Sequence, residues 1–570
     1  MSIGMTIATI LIVAIVIVGC AAPQRPGATQ SSASGASAPK EIRRVTAAIV
    51  GNPATVNMMI NTAGSTGKVP GADEVEDLLN ARLGMMGQDG VVRPQLAETI
   101  PTIENGLWTV LTDGRMEMTW KISSRAHWHD GVAFTAEDLV FTRGVQQERD
   151  MSVFRDTKMA VVESVEAPDS HTLLVRWRQP FILADNIFEV GIMPKHLLEP
   201  YLEDKATFAE LPYWRHEFVG TGPYRLREWA QGSHATLVAN DGYVLGRPKI
   251  DEILVRFIPD PNTLLANVLS GEVDLTMGLG ISLDQAIEVR EQWRNGRAEV
   301  AIAGIVAIYP QLLWPTPQVV GEPRFRRALV HAMDRQAMAD TMMAGLSSVA
   351  HSFIGPNQPE YRDIEHRIVR YAYDPRRAVQ TIEDLGYLRG SDGFFRDSES
   401  RRLSVEIRSV EGFDINLKSL FPIADAWQRV GVAVDPVVTS RAKANDREYR
   451  ATFPGFDMTR NPNYVERLLI FHSSQMRLPE NNYVGSNYMN YKNTEWDGLI
   501  DTLFATIPSA ERTRALGNLV HFMTDQLLVL GIIYMVDPYM IANRVVNMAP
   551  PRGNVRSPEA WNAHEWDLRP

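Results

Sequence analysis

Hydrophobic and polar positions along the chain predict a mixture of strands and helices. Short apolar stretches that are typical of strands occur at 45–50, 116–122, 172–177 and 253–258. Between and after them, the pattern predicts helices at 135–147, 323–344, 375–385, 418–430 and 511–527. The sequence shows no internal repeat with the period of a solenoid or a propeller. This mixture indicates an α/β or α+β fold.

The predicted helix at 135–147 has a recognisable start. Thr135 is a preferred N-cap residue, and Asp138 follows three positions later, which is close to a capping box. Glu137 and Asp138 also place negative charge in the first turn, where the helix dipole favours it. The pair Asp130-Gly131 just before the helix is typical of a turn.

The first twenty residues form a different kind of segment. Residues 1–19 carry no charged side chain, and the apolar run at 7–18 is typical of a signal-peptide core. The run ends in Ile17-Val18-Gly19-Cys20, which resembles the lipobox of bacterial lipoproteins. We predict a lipoprotein signal peptide at 1–19 and lipidation of Cys20, which holds the protein on a membrane. A short transmembrane helix with an incidental cysteine is the alternative.

Residues 20–41 are rich in Ala, Ser, Gly, Pro and Gln and have no apolar periodicity. Such a segment cannot bury a core, so we predict a flexible tether. Both interpretations of the N-terminus export the rest of the chain, which places it in the cell envelope, facing the periplasm or the extracellular side.

Composition narrows the class of protein further. The 570 residues include 57 Lys and Arg against 68 Asp and Glu, a formal net charge of −11, and 45% of them are hydrophobic. This composition is typical of a soluble globular chain and argues against a nucleic-acid partner, whose phosphates require clustered basic residues. Because Cys20 is the only cysteine, an intrachain disulfide and a cysteine-based metal site are excluded.

Motifs of catalysis and cofactor binding are incomplete in this sequence. Neither Gly-x-Ser-x-Gly nor His-Glu-x-x-His occurs, and the P-loop-like stretch at 64–68 has Val69 where Ser or Thr should follow. Gly220-Thr-Gly222-Pro223 begins like a dinucleotide fingerprint, but Arg225 replaces its third glycine. His127 and His129 are the best metal candidates, although such a pair is more often structural. We therefore expect no enzyme activity, no cofactor and no metal.

Longer blocks of sequence carry a positive signal. Residues 91–98, 113–114, 118–122 and 127–141 closely resemble, in order, the signature of extracytoplasmic solute-binding proteins of family 5. These proteins are the dipeptide-, oligopeptide- and nickel-binding components of ABC importers. Further blocks follow in the family's order at 162–169, 192–196, 219–224, 260–274, 324–334 and 373–387. The resemblance covers roughly residues 45 to 540.

This resemblance implies an α/β fold with two lobes, similar to type II periplasmic binding proteins, with an extra subdomain and a hinge. Lobe I would consist of 42–90, 217–308 and 528–570, the extra subdomain of 91–216, and lobe II of 309–527. The chain would cross between lobes near 307–309 and 526–529. We expect the signature residues to be structural: His129, Asp130, Gly131, Glu137, Asp138, Gly220, Gly222, Pro223, Tyr224, Gly271 and Asp274.

The function implied by the resemblance is that of an extracytoplasmic receptor of an ABC importer. It would bind an oligopeptide or a solute of similar size between the lobes and deliver it, as a lipid-anchored monomer, to the permease and its ATPase subunits. Alternatives on the same fold are a sensor or chaperone without an importer, and a receptor for an oligosaccharide or a metal chelate. An exported hydrolase is a third class, for which the sequence shows no catalytic set.

Ligand-binding residues are sought in the second lobe. Peptide binders of this family pair the peptide's amino terminus with an aspartate, and the corresponding stretch here is 453–462, which contains Asp457. Arg460 would instead favour an anionic group. The aromatic candidates for the walls of the site are Trp314, Trp427, Tyr464 and Trp496. The block at 481–491 resembles a family segment beside the ligand.

Overall fold

The computed structural model describes residues 42–62, 69–154, 161–188, 191–278, 280–290, 292–411, 414–549 and 558–569. The chain divides into two units, Met1–Ile42 and Arg43–Pro570, and the strands and helices named here belong to the second. The predicted signal peptide, Cys20, the tether and the P-loop-like stretch lie outside the described residues. Within the described ranges, none of the helices has the length and apolar character needed to cross a membrane.

The strands are β1 Arg44–Ile49, β2 Gly84–Met86, β3 Val92–Pro94, β4 Trp108–Val110, β5 Met116–Lys121, β6 Val162–Asp169, β7 Thr172–Trp177, β8 Tyr224–Ala230, β9 His234–Ala239, β10 Glu252–Phe257, β11 Leu275–Thr276, β12 Gly296–Pro310, β13 Leu388–Arg389, β14 Phe395–Arg396, β15 Ser404–Val410, β16 Ala433–Thr439, β17 Phe456–Asn461, β18 Leu530–Ala542, β19 Val545–Val546 and β20 Asp567–Leu568.

The α-helices are α1 Met58–Thr62, α2 Ala72–Leu79, α3 Ala136–Gln147, α4 Lys195–Leu198, α5 Pro261–Ser270, α6 Leu283–Arg290, α7 Pro323–His331, α8 Arg335–Met342, α9 Tyr361–Ile364, α10 Pro375–Asp384, α11 Asp414–Arg429, α12 Arg441–Ala444, α13 Arg447–Ala451, α14 Thr494–Ala505 and α15 Ser509–Asp525.

Ten strands form one mixed sheet in the order β16-β15-β17-β12-β18-β11-β1-β10-β9-β8. Strands from the first half of the chain occupy one end of the sheet, and strands from 404–461 occupy the other. The two ends are therefore built from different parts of the chain and meet at β12 and β18.

Strands β12 and β18 are the longest in the sheet and pair antiparallel from Gly296↔Ala542 to Ile308↔Leu530. Bulges interrupt their register between Ile302 and Gly304 and again between Val306 and Ala307. Gly304 allows a close approach there, because a Cβ atom on it would lie 2.3 Å from the carbonyl oxygen of Asn461. The crossings expected near 307–309 and 526–529 fall at one end of this strand pair.

The two ends of the sheet are buried in separate hydrophobic cores. One core, with Val45, Leu78, Tyr224 and Ile253 among its members, surrounds the β1 end. The second core includes Ile407, Phe456 and Trp427 and surrounds the β15 end. Apolar burial stabilises both ends, and the β12–β18 pair runs between the two cores.

A smaller four-stranded sheet, β4-β5-β7-β6, lies within the expected extra subdomain. Along β5, Met116, Met118 and Trp120 are buried at every second position, which is the period of a strand with one covered face. Phe134 and Leu139 belong to the same hydrophobic cluster.

The strands predicted from local sequence patterns agree closely with the structure. The four predicted strands correspond to β1, β5, β7 and β10 with ends shifted by at most one residue. The predicted helix 323–344 is instead two helices, α7 and α8. The reason is Asp334, whose side chain accepts a bond from the Ala337 N–H at 3.0 Å and starts a new helix.

Candidate functional site

The signature residues bond to the protein's own atoms. His129 spans the corner at 220–222: the Gly220 N–H donates to its Nδ1 at 3.1 Å, and its Nε2 lies 3.1 Å from the Gly222 carbonyl oxygen. Burial lowers the pKa of His129 to about 4, so the ring is neutral at pH 7. Since both ring nitrogens are engaged, His129 is not placed as a metal ligand, and His127 Nδ1 contacts the Arg125 carbonyl oxygen instead.

The corner itself requires glycine. The Gly222 N–H donates to the Leu79 carbonyl oxygen at 2.9 Å. A Cβ atom on Gly220 would lie 2.0 Å from that oxygen, and one on Gly222 would lie 2.4 Å from the Leu79 carbonyl carbon. Pro223 and Tyr224 follow as β8 begins, and the Tyr224 hydroxyl donates to the Ala563 carbonyl oxygen at 3.4 Å.

The acidic signature residues stabilise turns and caps. Gly131 has φ +90°, and the neighbouring Asp130 carboxylate lies 2.7 Å from His196 Nε2. Asp138 accepts bonds from the Thr135 and Lys195 N–H groups, both at 2.9 Å, and Glu137 accepts from Lys195 Nζ at 2.6 Å.

Helix α5 ends at Gly271, which has φ +81°. Asp274, three residues later, precedes β11 and is engaged by Arg544.

Strand β17 places Asp457 between β12 and β15 of the large sheet. Asp457 lies opposite Tyr309 on β12 and opposite Arg408 on β15. Arg408 Nε is 3.5 Å from Asp457 Oδ1, and its guanidinium also donates to the carbonyl oxygens of Tyr449 and Arg450. The charge of Asp457 is therefore already balanced within the protein.

An aromatic stack lies beside Asp457. The rings of Tyr309 and Tyr488 stack at 4.9 Å, and the Arg477 guanidinium lies 4.6 Å from the Tyr488 ring centre. Asn461 Nδ2 donates to the Tyr309 hydroxyl at 2.7 Å. Tyr309 and Arg477 were not predicted from the sequence, because only the fold brings them to the Tyr488 ring. Tyr488 itself falls inside the block 481–491.

Arg460 and Asp537 lie on one face of the large sheet, on strands that flank β12. Val306 on β12 pairs with Arg460 on one side and with Ile533 of β18 on the other, so these three residues share a face. Asp537 lies four positions after Ile533 on β18 and therefore points to the same face. Burial raises the pKa of Asp537 to about 6, and the positive charge of Arg460 opposes that rise. Asp537 was not among the residues predicted from the sequence.

Two further acids are buried near Asp537 on the side of the first core. Gly278 N–H donates to both carboxylate oxygens of Glu559, at 3.1 and 3.0 Å, and Glu559 N–H donates to Glu74 Oε2 at 3.0 Å. Burial, together with repulsion from Asp73 and Asp537, raises the pKa of Glu559 to about 8.

The four aromatic candidates differ in how deeply they are buried. Trp427 and Trp496 are completely buried, and their Nε1 atoms donate to the carbonyl oxygens of Leu329 and Phe471. Their assignment to the walls of the site is therefore corrected: both are core residues, because large aromatic side chains bury more apolar surface than any others. Trp314 is 41% exposed and Tyr464 is half-buried, so both reach the surface.

Among the residues that the structure describes, no three His, Asp or Glu side chains are grouped as a metal ion would require. The polar groups at β12, β17 and β18 can form hydrogen bonds and charge pairs.

These features define a class of protein. Two separately packed ends of one sheet, joined by a pair of long strands with charged and aromatic residues at the junction, form the two-lobed α/β architecture of periplasmic binding proteins. The family described as "Bacterial extracellular solute-binding proteins, family 5 Middle" matches residues 91–470. The chain belongs to this family, which confirms the resemblance seen in the sequence, and its function is that of a solute-binding receptor.

Individual relatives cover most of the chain. The oligopeptide-binding protein AppA of Bacillus subtilis is 22% identical over 506 residues, which are 87% of this chain and 86% of AppA. The structure of AppA in complex with a nonapeptide is similar with a TM-score of 0.69 and 20% identity, covering 93% of this chain and 100% of AppA.

Two other solved structures are similar at 17–18% identity. The periplasmic EDTA-binding protein EppA has a TM-score of 0.78, with 94% of this chain and 98% of EppA covered. NikZ from Campylobacter jejuni, in complex with Ni(L-His), has a TM-score of 0.72, with 92% and 99% covered. These likenesses confirm the predicted fold.

Proposed function

We propose that the protein captures an oligopeptide, or a solute of similar size, at the junction of its two lobes and delivers it to an ABC permease. The observation that carries this proposal is the pair of opposite charges, Arg460 and Asp537, on one face of the sheet where the two cores meet. A peptide has charged groups of both signs and a polar backbone. The name of AppA, an oligopeptide-binding protein, supports the same ligand class.

We further propose the division of the chain expected from the sequence: lobe I at 42–90, 217–308 and 528–570, an extra subdomain at 91–216, and lobe II at 309–527. The strand pair β12–β18 would act as the hinge. Binding then requires that the solute has a higher affinity for the closed arrangement of the lobes than for the open one.

The proposed contacts to the solute are Arg460, Tyr464 and Trp314, with the Tyr488 ring at the edge of the site. Asp457 is a weaker candidate than the sequence indicates, because Arg408 already pairs with it. A solute ammonium group would have to compete with that guanidinium.

Export, lipidation of Cys20 and association as a monomer with a permease and its ATPase subunits belong to this proposal. The protein would act by binding alone and catalyse no reaction, as expected of a transport component in this family.

The experiment is native mass spectrometry of the full-length protein, purified in mild detergent without denaturation. A ladder of adduct masses that fit amino-acid compositions is the expected result. A single non-peptide mass would retain the receptor function and reject peptides. A bare protein whose thermal unfolding midpoint does not shift with peptides, sugars or nickel would contradict the proposal.

A further inference from the structure

Asp537 is a buried acid whose carboxylate has no hydrogen bond or ion pair with the described residues. Its exposed fraction is 9%, and none of the described residues hydrogen-bonds to it or places a cationic nitrogen within 4 Å of its carboxylate. An unpaired carboxylate at this depth is costly in free energy, so such a group is rare unless it has a role.

The position of Asp537 is the junction between the two cores. On the same face of β18, two residues before it, Met535 belongs to the core around β15. Two residues after it, Tyr539 belongs to the core around β1. Ala301 lies directly opposite on β12 and adds no polar group. The carboxylate therefore lies where a solute between the lobes would be enclosed.

Several titratable groups lie near Asp537. The charge of Asp537 contributes to the raised pKa of Glu559, about 8, so Glu559 is protonated at pH 7. Burial and the three acids Glu559, Asp537 and Glu74 raise the pKa of the Tyr539 hydroxyl. The positive charge of Arg460 lowers the pKa of Asp537, but this effect is smaller than the rise in pKa that burial causes. Glu559 and Glu74 are bound to backbone N–H groups, which leaves Asp537 as the acid without a hydrogen bond from the described protein.

We propose that Asp537 and the Tyr539 hydroxyl form a subsite for a cationic group of the solute, an ammonium or guanidinium, at the hinge strand. This inference rests on the proposed function and names the chemistry of one end of its ligand. An ammonium group has three donors and no acceptor, which match the two carboxylate oxygens of Asp537 and the oxygen of Tyr539.

Asp457 does not fill this role, because Arg408 is 3.5 Å from its carboxylate. Loss of one partner from a buried charge pair is costly, because it leaves the other charge buried and unpaired. We therefore expect removal of the Asp537 charge to weaken binding of a cationic solute at least tenfold.

The test uses the full-length protein in mild detergent, freed of retained solute by reversible unfolding, with binding measured by isothermal titration calorimetry. The probes are the tripeptide Ala-Lys-Ala, its N-acetylated norleucine counterpart, which has no cationic group, and putrescine as a cation without a peptide backbone. The variants are Asp537→Asn and Tyr539→Phe, and the control is Asp435→Asn, an exposed acid on β16.

The expected result is that the wild type prefers Ala-Lys-Ala to the uncharged peptide at least tenfold and that Asp537→Asn loses this preference. Tyr539→Phe should weaken the preference for Ala-Lys-Ala, and Asp435→Asn should retain that preference. Equal binding of both peptides by wild type and Asp537→Asn would overturn the subsite and leave the peptide receptor intact.

Binding of putrescine but of neither peptide, with loss in Asp537→Asn, would support the subsite and reject peptides as ligands. A wild type that binds none of the probes would overturn both. Asp537→Asn must unfold at a temperature no lower than the wild type, which separates loss of the subsite from loss of the fold.

Discussion

Asp274 and Arg544 join segments that are 270 residues apart in the chain. Arg544 Nε and Nη2 each donate to the Asp274 carboxylate at 2.6 Å, and the Thr46 N–H donates to the same carboxylate at 2.8 Å. The contact connects the start of β11 with β1 and with the turn after β18. It therefore holds the C-terminal end of β18 against the first core.

Replacement of this buried acid should destabilise the protein. Asp274→Ala removes a bidentate pair and leaves the Thr46 N–H without its acceptor, so we expect the free energy of unfolding to fall by about 3 kcal/mol. Urea denaturation measures the change. Asp241→Asn is the matched control, because Asp241 also pairs with an arginine at 2.6 Å but is 77% exposed. Its cost should be under about 1 kcal/mol, and equal costs at both sites would contradict the structural role of Asp274.

Gly222→Ala should damage the fold through a steric clash. The added Cβ atom would lie 2.4 Å from the Leu79 carbonyl carbon and 2.6 Å from the Asn80 nitrogen, and neither backbone atom can move freely. We expect a loss of about 3 kcal/mol or failure to fold. Gly144→Ala, in helix α3, meets no atom within 4 Å and should stabilise the protein by up to about 1 kcal/mol. Thermal unfolding of the two variants distinguishes them, and a tolerated Gly222→Ala would refute the clash.

Substitution of Trp427 should affect stability, whereas substitution of Trp314 should affect ligand binding. Trp427→Phe leaves a cavity and an unsatisfied Leu329 carbonyl group, so we expect it to lower the free energy of unfolding by about 2 kcal/mol. Trp314→Phe changes an exposed ring and should leave stability within about 0.5 kcal/mol. Native mass spectrometry should show less retained solute only in the Trp314 variant. Loss of solute with unchanged stability in Trp427→Phe would restore that residue to the site.

The stability of the protein should depend on the ionisation of Asp537. Because the pKa of Asp537 is about 6 in the folded protein and 3.8 in the reference state, the folded form binds the proton more tightly. The free energy of unfolding therefore falls as pH rises from 3.8 to about 6, by about 3 kcal/mol in total.

Asp537→Asn should remove the fall in the free energy of unfolding that ionisation of Asp537 causes. We expect the variant without solute to be more stable than the wild type, by a margin that grows by about 1 kcal/mol between pH 5 and pH 7.5. Urea denaturation at the two pH values measures the margin. A margin that is constant with pH would mean that Asp537 is already ionised in the folded protein at pH 5.

Membrane attachment should depend on Cys20. If Cys20 carries the lipid, Cys20→Ser should abolish incorporation of labelled fatty acid and move the protein from the membrane fraction to the soluble fraction. Ser32→Ala in the predicted tether should change neither. A Cys20→Ser variant that stays on the membrane would favour the alternative of an N-terminal transmembrane helix.

Much of the fold was predictable because its signals are local. The strand at 172–177 and the helix that starts after Thr135 follow from residues within a few positions of one another. The division of 323–344 into two helices was also encoded locally, in Asp334, but the continuous apolar spacing concealed it. Family membership followed from ordered blocks and needed no tertiary information.

By itself, the sequence determined the family, the α/β class and the local elements that its caps, turns and periodicities specify. Only the tertiary structure decided that Trp427 and Trp496 are core residues and that Arg408 pairs with Asp457. It also placed Asp537 between two cores, where none of the described residues pairs with it. The physical reason is that burial and charge pairing depend on distant segments packed against a residue. The type of a residue does not determine which residues will contact it. Here the register of β12, β17 and β18 determines those contacts.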